Sequence, residues 1–186
     1  MKTVKIVVVL LVAALSLVAT EYKVDTTHSH IGFKVKHMMI TNVIGKFDKF
    51  NGSFVLSSGK LTNLNGVVQT DSINTEVTKR DAHLRSGDFF DSKKYPQMKM
   101  KLLLVNDDEA KVALSIKNIT KKIVMDLETS GEIKDPWGNQ RAGLELTGKI
   151  NRKDFGLLWN ETLETGGLLV GDTVKISIQL EGIAKK

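Results

Sequence analysis

The chain has no cysteine among its 186 residues, which excludes disulfides, thiolate metal sites, a cysteine nucleophile and a lipid-modified cysteine. It also has no Gly-x-Ser-x-Gly elbow, no P-loop, no Gly-x-Gly-x-x-Gly turn and no His-Glu-x-x-His pair. Serine hydrolase, nucleotide-cofactor and zincin readings therefore have no motif to stand on. Clusters of Lys or Arg interleaved with stacking aromatics are missing, and with them the signature of a nucleic-acid partner. On strand-like runs such as those of Lys34 and Lys36 or Lys99 and Lys101, lysines come one at a time, the pattern of solvated strand faces and blunted sheet edges. Internal repeats and low-complexity linkers are absent, so one domain is the simplest organisation.

The one long apolar run is at the start. Lys2 and Lys5 precede Ile6 to Val18, a run broken only by Ser16, and Ala19 offers a small residue for cleavage. A spanning helix needs about 20 residues, more than this run has. Residues 1–19 therefore read as a signal peptide, with no membrane span and a periplasmic destination. Lys2 and Lys5 leave with it, so 27 basic residues fall to 25 against 21 acidic ones, a mild excess. Residues 20–186 remain, enough for a single domain held by its core alone.

That mature stretch alternates with period two. Ile31, Phe33, Val35 and His37 face one way; Met98, Met100, Leu102 and Leu104 share a face opposite Lys99 and Lys101. Ile123, Met125 and Leu127 repeat the pattern with Val124 as an exception, and Val174, Ile176, Ile178 and Leu180 close it. Turn signals such as Ser57-Ser-Gly59, Asn106-Asp-Asp108 and Asp135-Pro-Trp-Gly-Asn139 separate eight or nine such runs. An antiparallel barrel and a two-sheet sandwich both fit. Glycines at 32, 45, 52, 66 and 148, placed where a barrel needs bends and bulges, favour the barrel.

One segment breaks the pattern. Thr78 and Asp81 read as a capping pair for a short helix, Gly87 as its left-handed stop, and Pro96 as the end of the insertion. Phe89 and Phe90 then need an apolar surface beneath them. A helical insertion over residues 78–96, folded onto a β structure, is the expectation.

Tyr22-Lys-Val-Asp25, His28-Ser-His30-Ile-Gly-Phe33, Gly45-Lys-Phe47, Phe50-Asn-Gly52, Arg80-Asp81 with His83-Leu84, Phe89-Phe90-Asp91, Tyr95-Pro96 and Arg152-Lys-Asp-Phe-Gly156 occur in this order. Together they resemble the YceI family across nearly the whole mature chain. The resemblance implies an exported bacterial protein with a lipocalin-like antiparallel barrel of about eight strands. It also implies a central pore for a polyisoprenoid or related amphiphilic lipid, with no common catalytic activity and no cofactor. Met98 and Met100 stand where relatives often carry an aromatic after the Tyr-Pro pair, which alters the pore's shape.

The residues themselves give the lining such a pore needs: Phe33, Val35, Phe47, Phe54, Leu84, Phe89 and Phe90, with Met98, Met100, Leu102, Met125, Leu127, Leu144 and Leu146. Each is equally readable as plain core filler, and only a cavity separates the two. A buried tail contributes roughly 0.8 kcal/mol per methylene, so about fifteen carbons offset the cost of immobilisation. Lys79, Arg80 and Arg85 are candidates for a phosphate-bearing head group. The alternative is that Arg80 or Arg152 pairs with Asp81, Asp91 or Asp154 to fix the loop.

Two other classes stay open. His28 and His30, on one face of a strand, with His37 or His83 as a third ligand, would suit a metal-dependent hydrolase. A module that binds another protein, or pairs as a homodimer, would instead expose a large apolar patch.

Overall fold

The computed structural model describes residues 19–164 and 166–185; of the expected signal peptide, residues 1–18 lie outside them, and Ala19 opens the first strand. The strands are β1 (Ala19–Val24), β2 (His30–His37), β3 (Thr41–Phe47), β4 (Phe50–Ser57), β5 (Lys60–Gln69) and β6 (Ile73–Asn74). After helix α1 (Thr78–Arg85) come β7 (Gln97–Asn106), β8 (Glu109–Ile116), β9 (Ile119–Lys134), β10 (Gln140–Asn151) and β11 (Val170–Ala184). All pairings are antiparallel. Eleven segments make only eight barrel strands, because three strands are each broken once. β1 and β2 run in succession along β11, where Val24 faces Gly182 and His30 faces Gln179. β3 and β4 form the next bent strand, and β5 and β6 the third, with Phe50 opposite Val68 and Phe47 opposite Ile73. The remaining five close the ring, so the fold is a closed antiparallel barrel.

Alternation explains which residues face in. Phe54, Leu56, Val112, Met125 and Leu146 are fully buried, while Val124 between Met125 and Ile123 is turned out. Leu104 departs from the expected face. The register of β7 against β8 shifts between Leu102 and Leu104, which leaves Leu104 60% exposed.

The glycines expected at bulges are elsewhere. Gly32, Gly45, Gly52, Gly66 and Gly148 all sit in regular register, and the shifts fall at Val55/Leu56, Leu102/Leu104, Gly143/Leu144 and Val170/Val174. Gly45 serves instead to make room: a Cβ there would lie 2.4 Å from the Phe33 ring. Gly182 does the same for Phe54 and Tyr22, with both 2.7 Å from its would-be Cβ.

One end of the barrel is tied by Arg141. Its guanidinium donates to Asp135 at 2.7 Å, to Asp25 at 2.9 Å and to Glu181 at 2.5 Å, joining the β9–β10 turn to the β1–β2 turn. His28 and then Arg141 hold the Asp25 carboxyl down to about 2, and Arg141 with Asn139 holds Asp135 well below the usual carboxylate range. A carboxyl whose folded pKa lies below its unfolded value stabilises the fold above the unfolded value, and that contribution is lost as pH falls through the folded one. Stability is therefore expected to be flat above about pH 5 and to fall between about pH 4 and pH 2. Urea midpoints across that window check it, and Arg141→Met should flatten the descent.

Candidate functional site

Large side chains fill one half of the barrel, and the other half is hollow. Tyr22 stacks on Phe54 with ring centroids 5.2 Å apart, and Leu56, Leu61, Leu102, Val112, Met125, Leu127, Leu144 and Leu146 complete a solid plug. Above it lies an apolar cavity of about 170 Å³. Voids between packed side chains are much smaller than this, and a dry engineered hollow of roughly 150 Å³ already takes up benzene.

Val24, Leu64, Ile178 and Leu180 form the floor, where plug and cavity meet. Phe33, Val35, Phe47, Met98 and Met100 line the walls, as the sequence pattern leads one to expect of inward positions, and Leu84, Phe89 and Phe90 reach in from the insertion. Phe54, Leu102, Met125, Leu127, Leu144 and Leu146 do not reach the cavity. They point inward at the wrong depth and are consumed by the plug. Phe50, Val68, Leu114, Ile150, Val174 and Ile176 also line it, though the sequence reading did not name them as lining; Val174 and Ile176 lie on a face that the period-two signal had marked.

The roof is the insertion. Beyond Gln69, which faces Gln97 of β7, the chain crosses through β6 to pair with β3, and residues 75–96 cover the resulting gap in the wall. Thr70 anchors the insertion's end, donating N–H to Pro96 O at 2.9 Å and Oγ1–H to Tyr95 O at 2.8 Å. Its helix starts differently from the expected capping pair. Thr78 caps nothing, and buried Asp81 instead accepts from Thr75 N at 2.9 Å and Thr75 Oγ1 at 2.5 Å. Nor is Gly87 the left-handed stop: Ser86 ends the helix in extended conformation, and positive φ appears at Asp91. Phe90 meets Phe47 edge-on at 5.8 Å, while Phe89, His83 and Trp159 form a triangle of rings 4.7–5.2 Å apart. Trp159 escaped the sequence reading because it lies in a loop without periodicity.

The basic residues are not arranged for a head group. Arg80 donates to Thr75 Oγ1 and Thr75 O, both at 2.8 Å, and Arg85 to Asp71 O at 2.7 Å and Ile73 O at 2.8 Å. Lys79 is exposed, and none of the three lines the cavity. Arg80 therefore fixes the loop, through Thr75 rather than an aspartate. Arg152 does border the cavity, but its carboxylate partner is Asp172 at 3.3 Å, not Asp154, and its other donors go to loop carbonyls.

The histidines do not assemble either. His28 accompanies Asp25 and Glu181, with one ligand atom of each within 4.8 Å of the others, while His30, His37 and His83 are not in that group. Arg141 already bonds both carboxylates, which places a cation there without a metal. His83 sits in the roof, 2.9 Å from Asp88. The hydrolase reading thus loses its geometry.

Comparison with known proteins follows the same lines. A family model described as YceI-like domain matches residues 22–182. A UPF0312 protein of Staphylococcus aureus is 35% identical over 168 residues, covering 87% of this chain and 96% of the relative. The crystal structure of the Campylobacter jejuni YCEI protein superposes with a TM-score of 0.68 at 32% identity, over 89% of this chain and 98% of that one. A polyisoprenoid binding domain from Saccharophagus degradans, implicated in plant cell wall breakdown, gives 0.66 at 18% identity, over 88% and 98%. At that identity the last likeness speaks for the fold alone.

Proposed function

This chain belongs to the YceI family, and we propose that it is a binding protein whose barrel holds the apolar chain of an isoprenoid-like amphiphile. The observation that carries this is the cavity itself: unfilled, almost wholly apolar and roofed by two phenylalanines. Empty apolar space is a cost that a core would normally close, at several kcal/mol for a void of this order. An apolar guest removes that cost and contributes roughly 0.8 kcal/mol for each methylene it buries.

The lining presents almost no polar surface to the cavity, so recognition is by shape and length, and selectivity between similar chains is modest. Met98 and Met100 can re-pack around guests of different branching. The Saccharophagus domain of the same fold is a polyisoprenoid binding domain, which makes a polyisoprenoid the first guest to test. A nucleophile or metal centre facing the cavity is lacking among the described residues, which supports carriage or storage over catalysis. The expected leader over residues 1–19 supports a periplasmic protein that shields its cargo from water.

Protein purified from its own organism and extracted into organic solvent should release a prenyl or acyl lipid at about one per barrel, by mass spectrometry. If extracts contain none, and a fluorescent fatty acid and a short polyprenol both fail to bind the stripped protein, the reading fails.

A further inference from the structure

At the roofed end of the barrel lies an apolar rim that cavity binding does not use. The β2–β3 turn is made by Met38 and Met39, both with positive φ, at 50° and 62°. Such turns favour asparagine and glycine, and a methionine there is strained. Other hairpin turns with positive φ each include a Gly, Asp or Asn, as in Ser58-Gly59, Asp107 and Lys117-Asn118, whereas the β2–β3 turn has none. The strain is coupled to exposure: Met39 is 61% exposed and Ile40 80%. Neither feature helps a protein that meets only water.

The rim extends beyond this turn. Met38 N donates to Leu169 O at 2.8 Å, which ties the turn to the loop that carries Leu158, 64% exposed, and Leu168. Lys117 Nζ, in the β8–β9 turn, reaches Gly156 O at 3.4 Å, bringing in exposed Ile119 at the start of β9. Lys94 and Lys117 also hold their ammonium groups 5.3 and 5.9 Å from the Tyr95 ring centroid. Neither lysine joins an ion pair among the described residues. Apolar tips beside an amphipathic ring and unpaired cations match the layering of a bilayer surface, with acyl chains below and anionic phosphates above.

We propose that this end of the barrel docks on an anionic phospholipid bilayer, with Met38, Met39, Ile40, Leu158 and Leu168 entering the interface and Lys94 and Lys117 meeting phosphates. The roof over the cavity then faces the membrane from which a guest is drawn. That purpose rests on the cavity reading; the docking chemistry does not.

The test is flotation with vesicles of phosphatidylcholine and phosphatidylglycerol. The unaltered protein should float with them, less so at high salt. A triple variant, Met38→Asn, Met39→Gly and Ile40→Thr, installs the preferred turn residues and should melt no lower, while its vesicle partition falls at least about tenfold. Failure of the unaltered protein to float, or equal flotation of the variant, overturns the proposal. So does a finding that the variant loses a dimer by light scattering while still floating, since the rim is then an interface between copies. Uptake of a fluorescent fatty acid from detergent-free solution, measured on both proteins, reports the cavity separately. Lost uptake with intact flotation sinks the cavity reading and leaves docking standing.

Discussion

Gly66→Leu should cost the protein nearly all its affinity for an apolar guest without lowering its melting temperature. On β5, Leu64 and Val68 line the cavity, so Gly66 between them faces the same way, and it borders the void. A Cβ added there meets nothing closer than Asn51 O at 3.9 Å, and its φ is not in the left-handed region. The leucine therefore enters space that is already empty. It displaces about four carbons of guest, roughly 3 kcal/mol or about 200-fold in affinity. Replacing a strand glycine also stabilises by about 0.5–1 kcal/mol, since the unfolded chain loses freedom. Gly45 would not serve, because a side chain there collides with the Phe33 ring.

Phe54→Ala gives the opposite signature. It opens the plug, lowers stability by about 3–5 kcal/mol and leaves affinity per folded molecule close to that of the parent. A displacement titration with a fluorescent fatty acid, alongside thermal melts, separates the two. If the Gly66→Leu protein folds and still binds at parental strength, the guest does not occupy this cavity.

The contrast between Gly66 and Phe54 marks what a sequence carries and what it does not. Period-two alternation encodes which side of the wall a residue faces, and by that measure Phe33, Met98, Phe54 and Met125 are alike. It does not encode depth along the barrel axis. Depth depends on where the hollow is filled, and the plug is assembled from Tyr22, Phe54 and the space above Gly182, three segments far apart in the chain. The insertion was legible because it interrupts the alternation with phenylalanines, a proline and charges. The partners of its arginines were missed because they are Thr75 Oγ1 and backbone carbonyls of residues 71–75 rather than carboxylates, and these leave no trace in the charge pattern. The chain's order of motifs carried the family, and the family carried the barrel.

Arg152→Met should be the most destabilising single change outside the plug. Arg152 is 2% exposed, and its five N–H groups are all engaged. Nε donates to Gly171 O at 3.0 Å, Nη1 to Leu157 O at 2.5 Å and Trp159 O at 2.8 Å, and Nη2 to Val170 O at 3.4 Å and Asp172 Oδ1 at 3.3 Å. Burial pushes its pKa down, against the opposing charge of Asp172. Carbonyls on both sides of the 157–171 loop thus close on one planar fork. A methionine keeps the volume but strands those carbonyls, at a cost of about 3–5 kcal/mol. Lysine offers three donors from a single point and cannot span the loop, so Arg152→Lys should recover less than half.

The loss should reach the roof, because Trp159, held here through its own carbonyl, packs on Phe89 and His83. Amide exchange should quicken over residues 157–171 and over 83–90, and guest release should speed up in step. An unchanged urea midpoint would mean that the loop is held by something else. Faster guest release at unchanged stability would instead make Arg152 a direct ligand contact, contrary to the donor count.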